Sequence, residues 1–348
     1  MLSEYELHVV DLNNPQEFQR IKDFLGQFGL GFDSSVDYTM VLEQSGKLVA
    51  TGSFAGKVLR NIAVDESRQG EGLTATIINE LVQEQARRGI MHRLIFTKPS
   101  AARRFVDLGF REIARAEPWA VLLENGPGGI DAYLENIRAT TGHLPAGRTA
   151  VVVNCNPFTR GHLALIETAA RESPAVIVFV VSEDRSLFPF HDRFDLVSRG
   201  VAHLPNVAVV ETGIYMVSAA TFPTYFTREE ELAAAQAHLD IALFADRIAP
   251  ALGITARYVG EEPYCPVTEA YNQAMRDILP SRGIRLKVIP RVCTASGRII
   301  SASTVRECIR QDDWEGLREL VPDVTWDYLH SPRAADIIRK IKTSWSRH

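Results

Sequence analysis

The sequence predicts two α/β domains in tandem, a mixed α/β domain followed by a doubly wound parallel sheet, and three features carry that prediction. Beyond residue 148, apolar runs of strand length alternate with amphipathic runs of helix length, the pattern of a parallel sheet covered by helices on both faces. Before residue 125, three strand-length runs lie close together, and only then does a strand, helix, strand, helix series begin. Between the halves stands Asn125-Gly126-Pro127-Gly128-Gly129, a cluster of turn formers foreign to regular elements. The boundaries read as a first domain over 1–124, a linker with one short helix over 125–147, and a second domain over 148–348.

In the first domain the spacing predicts a helix near Pro15 to Phe28 and strands over Tyr38–Glu43, Lys47–Phe54 and Lys57–Val64. A glycine-containing turn in QGEGLTATIINELVQEQARRG then opens an amphipathic helix, followed by a strand at Arg93–Thr97 and a helix at Ala101–Leu108. The linker holds a helix over Asp131–Thr140 and a second breaker, GHLPAG. The second domain reads as strands at Ala150–Asn154, Ala175–Val181, Val207–Val210, Thr255–Val259 and Arg285–Ile289. Helices at Gly161–Arg171, Phe190–Leu204, Glu229–Ala249 and Glu269–Leu279 separate them, and further helices close the chain. Thr212 to Arg228, TGIYMVSAATFPTYFTR, is too long and aromatic for an ordinary connection and reads as a functional loop or an unrecognised helix.

Composition narrows the classes of function. With 348 residues, 46% hydrophobic and 23% charged, the chain has material for two cores. A net charge of −5 gives no general attraction for nucleic acid or anionic lipid, so nucleic-acid and membrane partners are not expected and any nucleotide binding is local. The four cysteines, Cys155, Cys265, Cys293 and Cys308, lack metal-ligand spacing and suit a reducing compartment. The longest apolar run, Ala175 to Val181, is too short to span a bilayer, and the expectation is a cytoplasmic protein.

The chemistry concentrates in AVVVNCNPFTRGHLALIE, Ala150 to Glu167, where a buried-strand pattern passes through a turn into a helix. Ligands of open α/β sheets bind at such strand ends. The first helical N–H groups there have no intrahelical partners and attract anions, and Gly161 offers close approach to the backbone. Thr159 and His162 aim a hydroxyl and an imidazole into the same space. On residues alone, the same tetrapeptide is equally an N-cap beside a surface histidine. IISASTVRECIR, Ile299 to Arg310, places Ser301, Ser303, Thr304 and Arg306 at a second helix start, predicted at Ser303 or Thr304. Here Thr304 with Glu307 reads equally as a capping box. Between the two lies YVGEEP at a strand end, where Glu261 and Glu262 read as acceptors for ribose or the adenine amine or as solvated turn carboxylates. His191 and Arg193 in FPFHDRFDLV offer a cationic reach, although an arginine on an amphipathic helix is usually at the surface.

The turn, with Asn154, Asn156, Pro157 and Phe158 preceding TRGH, resembles the (H/T)xGH signature of the nucleotidyltransferase superfamily, and ISASTVR resembles its ISSTxxR motif with Ala302 in place of one serine. The resemblance implies ATP as substrate, magnesium riding on it, His162 and Thr159 at the reacting phosphates, and Ser303, Thr304 and Arg306 around the departing pyrophosphate, with Ser301 also in the nucleotide site. Asn154, Asn156, Pro157, Phe158, Gly161, Gly260 and Glu261 complete the expected nucleotide site, with no protein-borne metal cage. In the first domain Gln69, Gly72 and Thr74 resemble the Q/RxxGxG/A turn of GNAT acyltransferases, Thr74 departing from its small final residue, which implies a GNAT-like domain able to bind a CoA-like arm through Gln69, Gly70, Gly72 and Thr74. Phe105 stands where many such enzymes carry a tyrosine acid. A phenyl ring donates no proton, which argues for binding without transfer.

More closely, NCNPFTRGHLALIE, FHDRFDLVSRG, YMVSAATFPTYF, VGEEPYCPVTEAYN and ISASTVR together resemble the carboxy-terminal domain of citrate lyase ligases. That resemblance implies an AMP-forming ligase that makes acetyl-adenylate from acetate and ATP. The acetyl group then passes to the thiol of the CoA-like prosthetic group on the citrate lyase acyl carrier subunit, and SAATFPTYF becomes a candidate acetate pocket. The alternatives are a cofactor-forming adenylyltransferase, an N-acetyltransferase with a regulatory nucleotide domain, and a nucleotide sensor without turnover.

Overall fold

The computed structural model describes residues 5–68, 70–183, 186–216, 232–261 and 266–343. It divides into two compact units, Met1–Ala132 with Val217–Ala242, and Tyr133–Met216 with Leu243–His348. Residues 232–242, read from sequence as part of the second domain, thus group with the first unit. There the Trp119 ring lies against His238, with centroids 4.2 Å apart.

In the first unit β1 (Glu6–Val9) and α1 (Pro15–Gly26) precede β2 (Tyr38–Gln44), β3 (Lys47–Ala55) and β4 (Val58–Val64). Asn14 caps α1 by accepting from the Gln16 N–H, and Pro15 at the first helical position forgoes only a donor the helix could not use. After β4 come α2 (Leu73–Arg87), β5 (Arg93–Thr97), α3 (Ala102–Val106), β6 (Arg111–Ala116) and β7 (Ala120–Asn125). The strands form one sheet in the order β1-β2-β3-β4-β5-β7-β6. Its one parallel contact, β4 with β5, is limited to Val58↔Leu94 and Leu59↔Ile95, so the two strands part towards their carboxyl ends. The glycine turn that opens α2 follows the end of β4. Ile77, Ile78 and Leu81 of α2 pack on Leu42, Phe54 and Ile95, a core that completes the predicted mixed α/β domain.

In the second unit all five strands are parallel. After α4 (Ile130–Thr141) the chain builds β8 (Arg148–Val153), α5 (Arg160–Glu172), β9 (Ala175–Val180), α6 (Phe190–Gly200) and β10 (Val207–Glu211). Beyond α7 (Leu232–Leu243), which up to Ala242 belongs to the first unit, it continues through α8 (Ala249–Leu252) to β11 (Ile254–Gly260), α9 (Pro266–Ile278) and β12 (Arg285–Ile289). Four helices finish it: α10 (Ala302–Arg310), α11 (Trp314–Leu320), α12 (Asp323–Leu329) and α13 (Ala335–Thr343). The single helix predicted to run to Ala249 is instead interrupted by a π-helical turn, Phe244–Ile248. Pro250 lacks the N–H that an unbroken helix would use four residues back.

The strand order β10-β9-β8-β11-β12 puts the first strand, β8, at the centre. Successive strands first go to one side of it and then cross to the other. That reversal opens a crevice at the carboxyl end of β8, the switch point at which doubly wound sheets bind ligands. Both central strands are covered on both faces, and all of β9 is buried, which is why they read as unbroken apolar runs.

Candidate active site

The TRGH turn begins immediately beyond Val153. Cys155 is buried with φ +56°, a left-handed conformation that costs a non-glycine residue energy, and the Asn156–Pro157 peptide is cis. Thr159 is the N-cap of α5, and His162 stands at the third helical position. The hydroxyl of Thr159 accepts from the His162 backbone N–H at 3.3 Å. In return, His162 Nδ1 accepts the Thr159 backbone N–H at 3.1 Å and lies 2.9 Å from its hydroxyl. The pair is a capping box in which imidazole takes the place of the usual carboxylate. An Nδ1 that accepts a backbone N–H cannot carry a proton in that bond, so the neutral ring bears its hydrogen on Nε2. Burial acts in the same direction and pushes the His162 pKa down to about 4. His162 is therefore a neutral donor at physiological pH, while Thr159, 1% exposed, spends its hydroxyl inside the turn.

The second motif repeats the geometry. Ser301, with extended backbone, caps α10 by accepting from the Thr304 N–H at 3.1 Å, and its hydroxyl lies 2.8 Å from that of Thr304. This corrects the predicted start at Ser303 or Thr304: Thr304 occupies the third helical position, and the capping box with Glu307 does not form. Ser303 is exposed. Arg306, expected near phosphate, is 5% exposed and donates to the carbonyl of Asn156 at 2.5 Å and to Ser303 Oγ at 3.3 Å. Burial lowers its pKa, and Arg310 adds repulsion, but a guanidinium remains charged at neutral pH.

Two helix N-termini are thereby locked together. A Cβ on Gly161 would lie 3.0 Å from the Ile300 carbonyl oxygen, so this glycine admits the residue that precedes the second cap. Thr325 Oγ1 donates to the Phe158 carbonyl at 2.9 Å, and Arg160 Nε donates to the carbonyl of Val321 at 3.0 Å. Phe158 is fully buried, and Asn156 Oδ1 accepts from the Phe188 N–H at 3.1 Å.

Arg193 does not occupy the surface position expected of it. It is fully buried and donates to the carbonyls of Asn154, Val181, Glu183 and Phe188 and to Asn154 Oδ1. The cause is helix spacing: Asp192, Arg193, Leu196 and Val197 share the buried face of α6. Asp192 is 4% exposed and receives bonds from Tyr328 Oη at 2.8 Å and Arg333 Nη2 at 2.5 Å. Sequence reasoning missed Thr325 and misjudged Arg193; two adjacent charges one turn before Leu196-Val197 were the available signal. His191 is exposed and lies 3.3 Å from Asp192.

Gly260 and Glu261 lie at the end of β11, beside β8, and both are exposed. The Glu261 N–H donates to the Ile289 carbonyl, and its own carbonyl accepts from Arg291 Nε at 2.8 Å. In the first unit Gly70 and Gly72 have φ of +93° and +79°, which only glycine adopts without cost, and Gly72 is the N-cap of α2 with no side-chain cap. Thr74 is half-buried in the first turn of α2. Gln69, Glu262, Cys265 and the SAATFPTYF segment lie outside the described residues. Among the described residues no three His, Cys, Asp or Glu side chains form a metal-binding group, and no helix is long and apolar enough to cross a membrane.

Comparison with known proteins covers both units. The profile of the citrate lyase ligase C-terminal domain matches residues 148–329. The [citrate [pro-3S]-lyase] ligase of Klebsiella pneumoniae is 38% identical over 318 residues, 89% of this chain and 92% of that one. Its Escherichia coli counterpart is 36% identical over 321 residues, covering 91% of each chain. Phosphopantetheine adenylyltransferase of Pasteurella multocida is 47% identical over 57 residues, 16% of this chain and 36% of that one.

Proposed function

The chain belongs to the citrate lyase ligase family, enzymes that acetylate and thereby activate citrate lyase, and from that premise we propose that its second unit activates acetate with MgATP. One oxygen of acetate attacks the α-phosphorus, the bond to the bridging α–β oxygen breaks, and pyrophosphate leaves behind acetyl-adenylate. The thiol of the CoA-like group on the citrate lyase acyl carrier subunit then loses its proton to solvent and attacks the acetyl carbonyl carbon. A thioester forms and AMP departs.

The first step transfers no proton, because acetate is already ionised and pyrophosphate leaves as an anion. It needs charge neutralisation and positioning, which a neutral Nε2–H donor and two helix N-termini supply. In this reading His162 donates to the reacting phosphate, and Thr159 orients His162 rather than touching substrate. The first-turn N–H groups of α5 and α10, with Ser303, Thr304 and Arg306, hold the triphosphate, and Ser301 caps the helix that presents them. Asn154, Asn156, Pro157, Phe158 and Gly161 shape its cradle, with Gly260 and Glu261 towards the nucleoside. Magnesium belongs to the substrate, bound through the phosphates.

The glycine turn of α2 supports a role for the first unit in holding the CoA-like arm through Gln69, Gly70, Gly72 and Thr74. A helix N-terminus beside the diverging ends of β4 and β5 suits a pyrophosphate-bearing chain. Phe105, 6% exposed and without a titratable group, fits arm binding without acetyl transfer. The single observation that carries the reading is the joining of the two capped helix starts through Gly161 and Arg306. Incubation with MgATP, labelled pyrophosphate and a series of small carboxylates tests it. Acetate-dependent label entering ATP is expected, and exchange absent with every acid would overturn it.

A further inference from the structure

A fully buried arginine, Arg193, stands at the carboxyl ends of β8 and β9. Arg193 directs Nε to the Phe188 carbonyl at 2.9 Å, Nη2 to the Glu183 carbonyl at 2.6 Å, and Nη1 to three oxygens. Those three are the carbonyls of Val181 at 2.7 Å and Asn154 at 2.9 Å, and Asn154 Oδ1 at 2.9 Å. Every acceptor belongs to the two segments that rise from the strand ends at the switch point. A guanidinium has donors only, so the amide atom facing it must be the oxygen of Asn154. The orientation of this carboxamide is therefore dictated from below. Ser186 Oγ reinforces it, donating to Asn154 Oδ1 at 3.2 Å and lying 3.1 Å from Nδ2. Asn154 is exposed at the mouth of the crevice, so its NH2 group retains a second hydrogen for a ligand.

We infer that Arg193 is a positioning residue for the nucleotide: it fixes the Asn154 carboxamide with its NH2 towards the phosphates and ties Val181, Glu183 and Phe188 to the end of β8. The inference rests on the assignment of ATP to this crevice. A lysine cannot replace it, because one ammonium has three donors and no planar fork with which to span five acceptors. The Asn154 NH2 bond to a charged phosphate is of the class whose loss weakens binding by about ten- to a hundredfold.

The test is calorimetric titration of the full chain and its variants with the magnesium complex of a non-hydrolysable ATP analogue, alongside KM for acetate in pyrophosphate exchange. Arg193→Lys is expected to raise the analogue Kd about tenfold or more and leave KM for acetate unchanged. Asn154→Ala is expected to do the same, and the double variant to be no worse than the weaker-binding single variant within about twofold. A merely structural arginine would lower the thermal midpoint without this split or this coupling. Arg193→Lys that folds and binds the analogue like wild type, or single effects that multiply, would overturn the inference. Should Arg193→Lys fail to fold, Asn154→Asp decides. It keeps an acceptor for Arg193 and loses the NH2, so weaker analogue binding sustains the inference and unchanged binding defeats it. Wild-type chain that binds the analogue but shows no acetate-dependent exchange counts against the proposed reaction, and the variant Kd values still decide the role of Arg193.

Discussion

Replacing His162 by asparagine and by glutamine separates the two nitrogens of its ring. Nδ1 lies 3.1 Å from the Thr159 nitrogen and 2.9 Å from its hydroxyl, and it works as an acceptor within the cap. Asparagine Oδ1 stands near the position of Nδ1 and can keep both bonds, but it places no donor where Nε2 lies. Glutamine reaches that outer position with an amide NH2 and gives up the inner acceptor. His162→Asn should therefore keep thermal stability within about 1 kcal/mol, the worth of one cap bond. Its acetate-dependent pyrophosphate exchange should fall about 10²- to 10³-fold, the usual cost of one donor to transition-state charge. His162→Gln leaves the Thr159 N–H without its acceptor and should lose about 1–3 kcal/mol, yet it should exchange at least about tenfold faster than His162→Asn. Initial rates at saturating MgATP and acetate, with midpoints from thermal melts, supply both measurements. Equal losses in the two variants, or His162→Asn retaining more than about a tenth of wild-type turnover, would refute the Nε2 donor.

The depressed pKa of His162 also links stability to pH. Its folded pKa of about 4 lies below an unfolded value near 6.5, so the stability it protects is fully present above 6.5 and is lost as pH falls towards 4. At pH 5 the wild type should have lost about 2 kcal/mol relative to pH 7 that His162→Asn does not lose, and melting curves that stay parallel across this window would contradict it. Gly161→Ala adds a methyl 3.0 Å from the Ile300 oxygen while gaining about 0.5–1 kcal/mol of helix propensity. Its melting temperature should therefore change little, but exchange should fall at least about tenfold because the second cap is displaced; wild-type exchange would show that the crevice tolerates the shift.

How much of this could be read from the chain depended on whether a physical demand writes a pattern into sequence. Burial of a parallel sheet on both faces demands continuous apolar runs, so β8 and β9 were found almost to the residue, whereas the largely exposed β12 was legible from its place in the strand–helix alternation. β1 is an exposed edge strand whose four residues satisfy no core, and it left no trace. The π-helical turn before Pro250 was hidden because its buried residues, Phe244, Ala245 and Ile248, keep a spacing that an ordinary amphipathic helix would also show. Arg193 was illegible for a sharper reason: four of its five acceptors are backbone carbonyls spread between Asn154 and Phe188, and carbonyls have no letter in a sequence. The two phosphate motifs were legible as helix starts, but their chemistry was not separable from capping. The structure shows why the two readings were never exclusive. Thr159 and Ser301 each satisfy the third N–H of a helix, so their hydroxyls are committed inside the turn. The N–H groups of the first two helical positions have no intrahelical acceptor and remain for an anion. On the proposed reading, capping fixes the backbone that would meet phosphate, and the side chain the cap leaves to face substrate is His162.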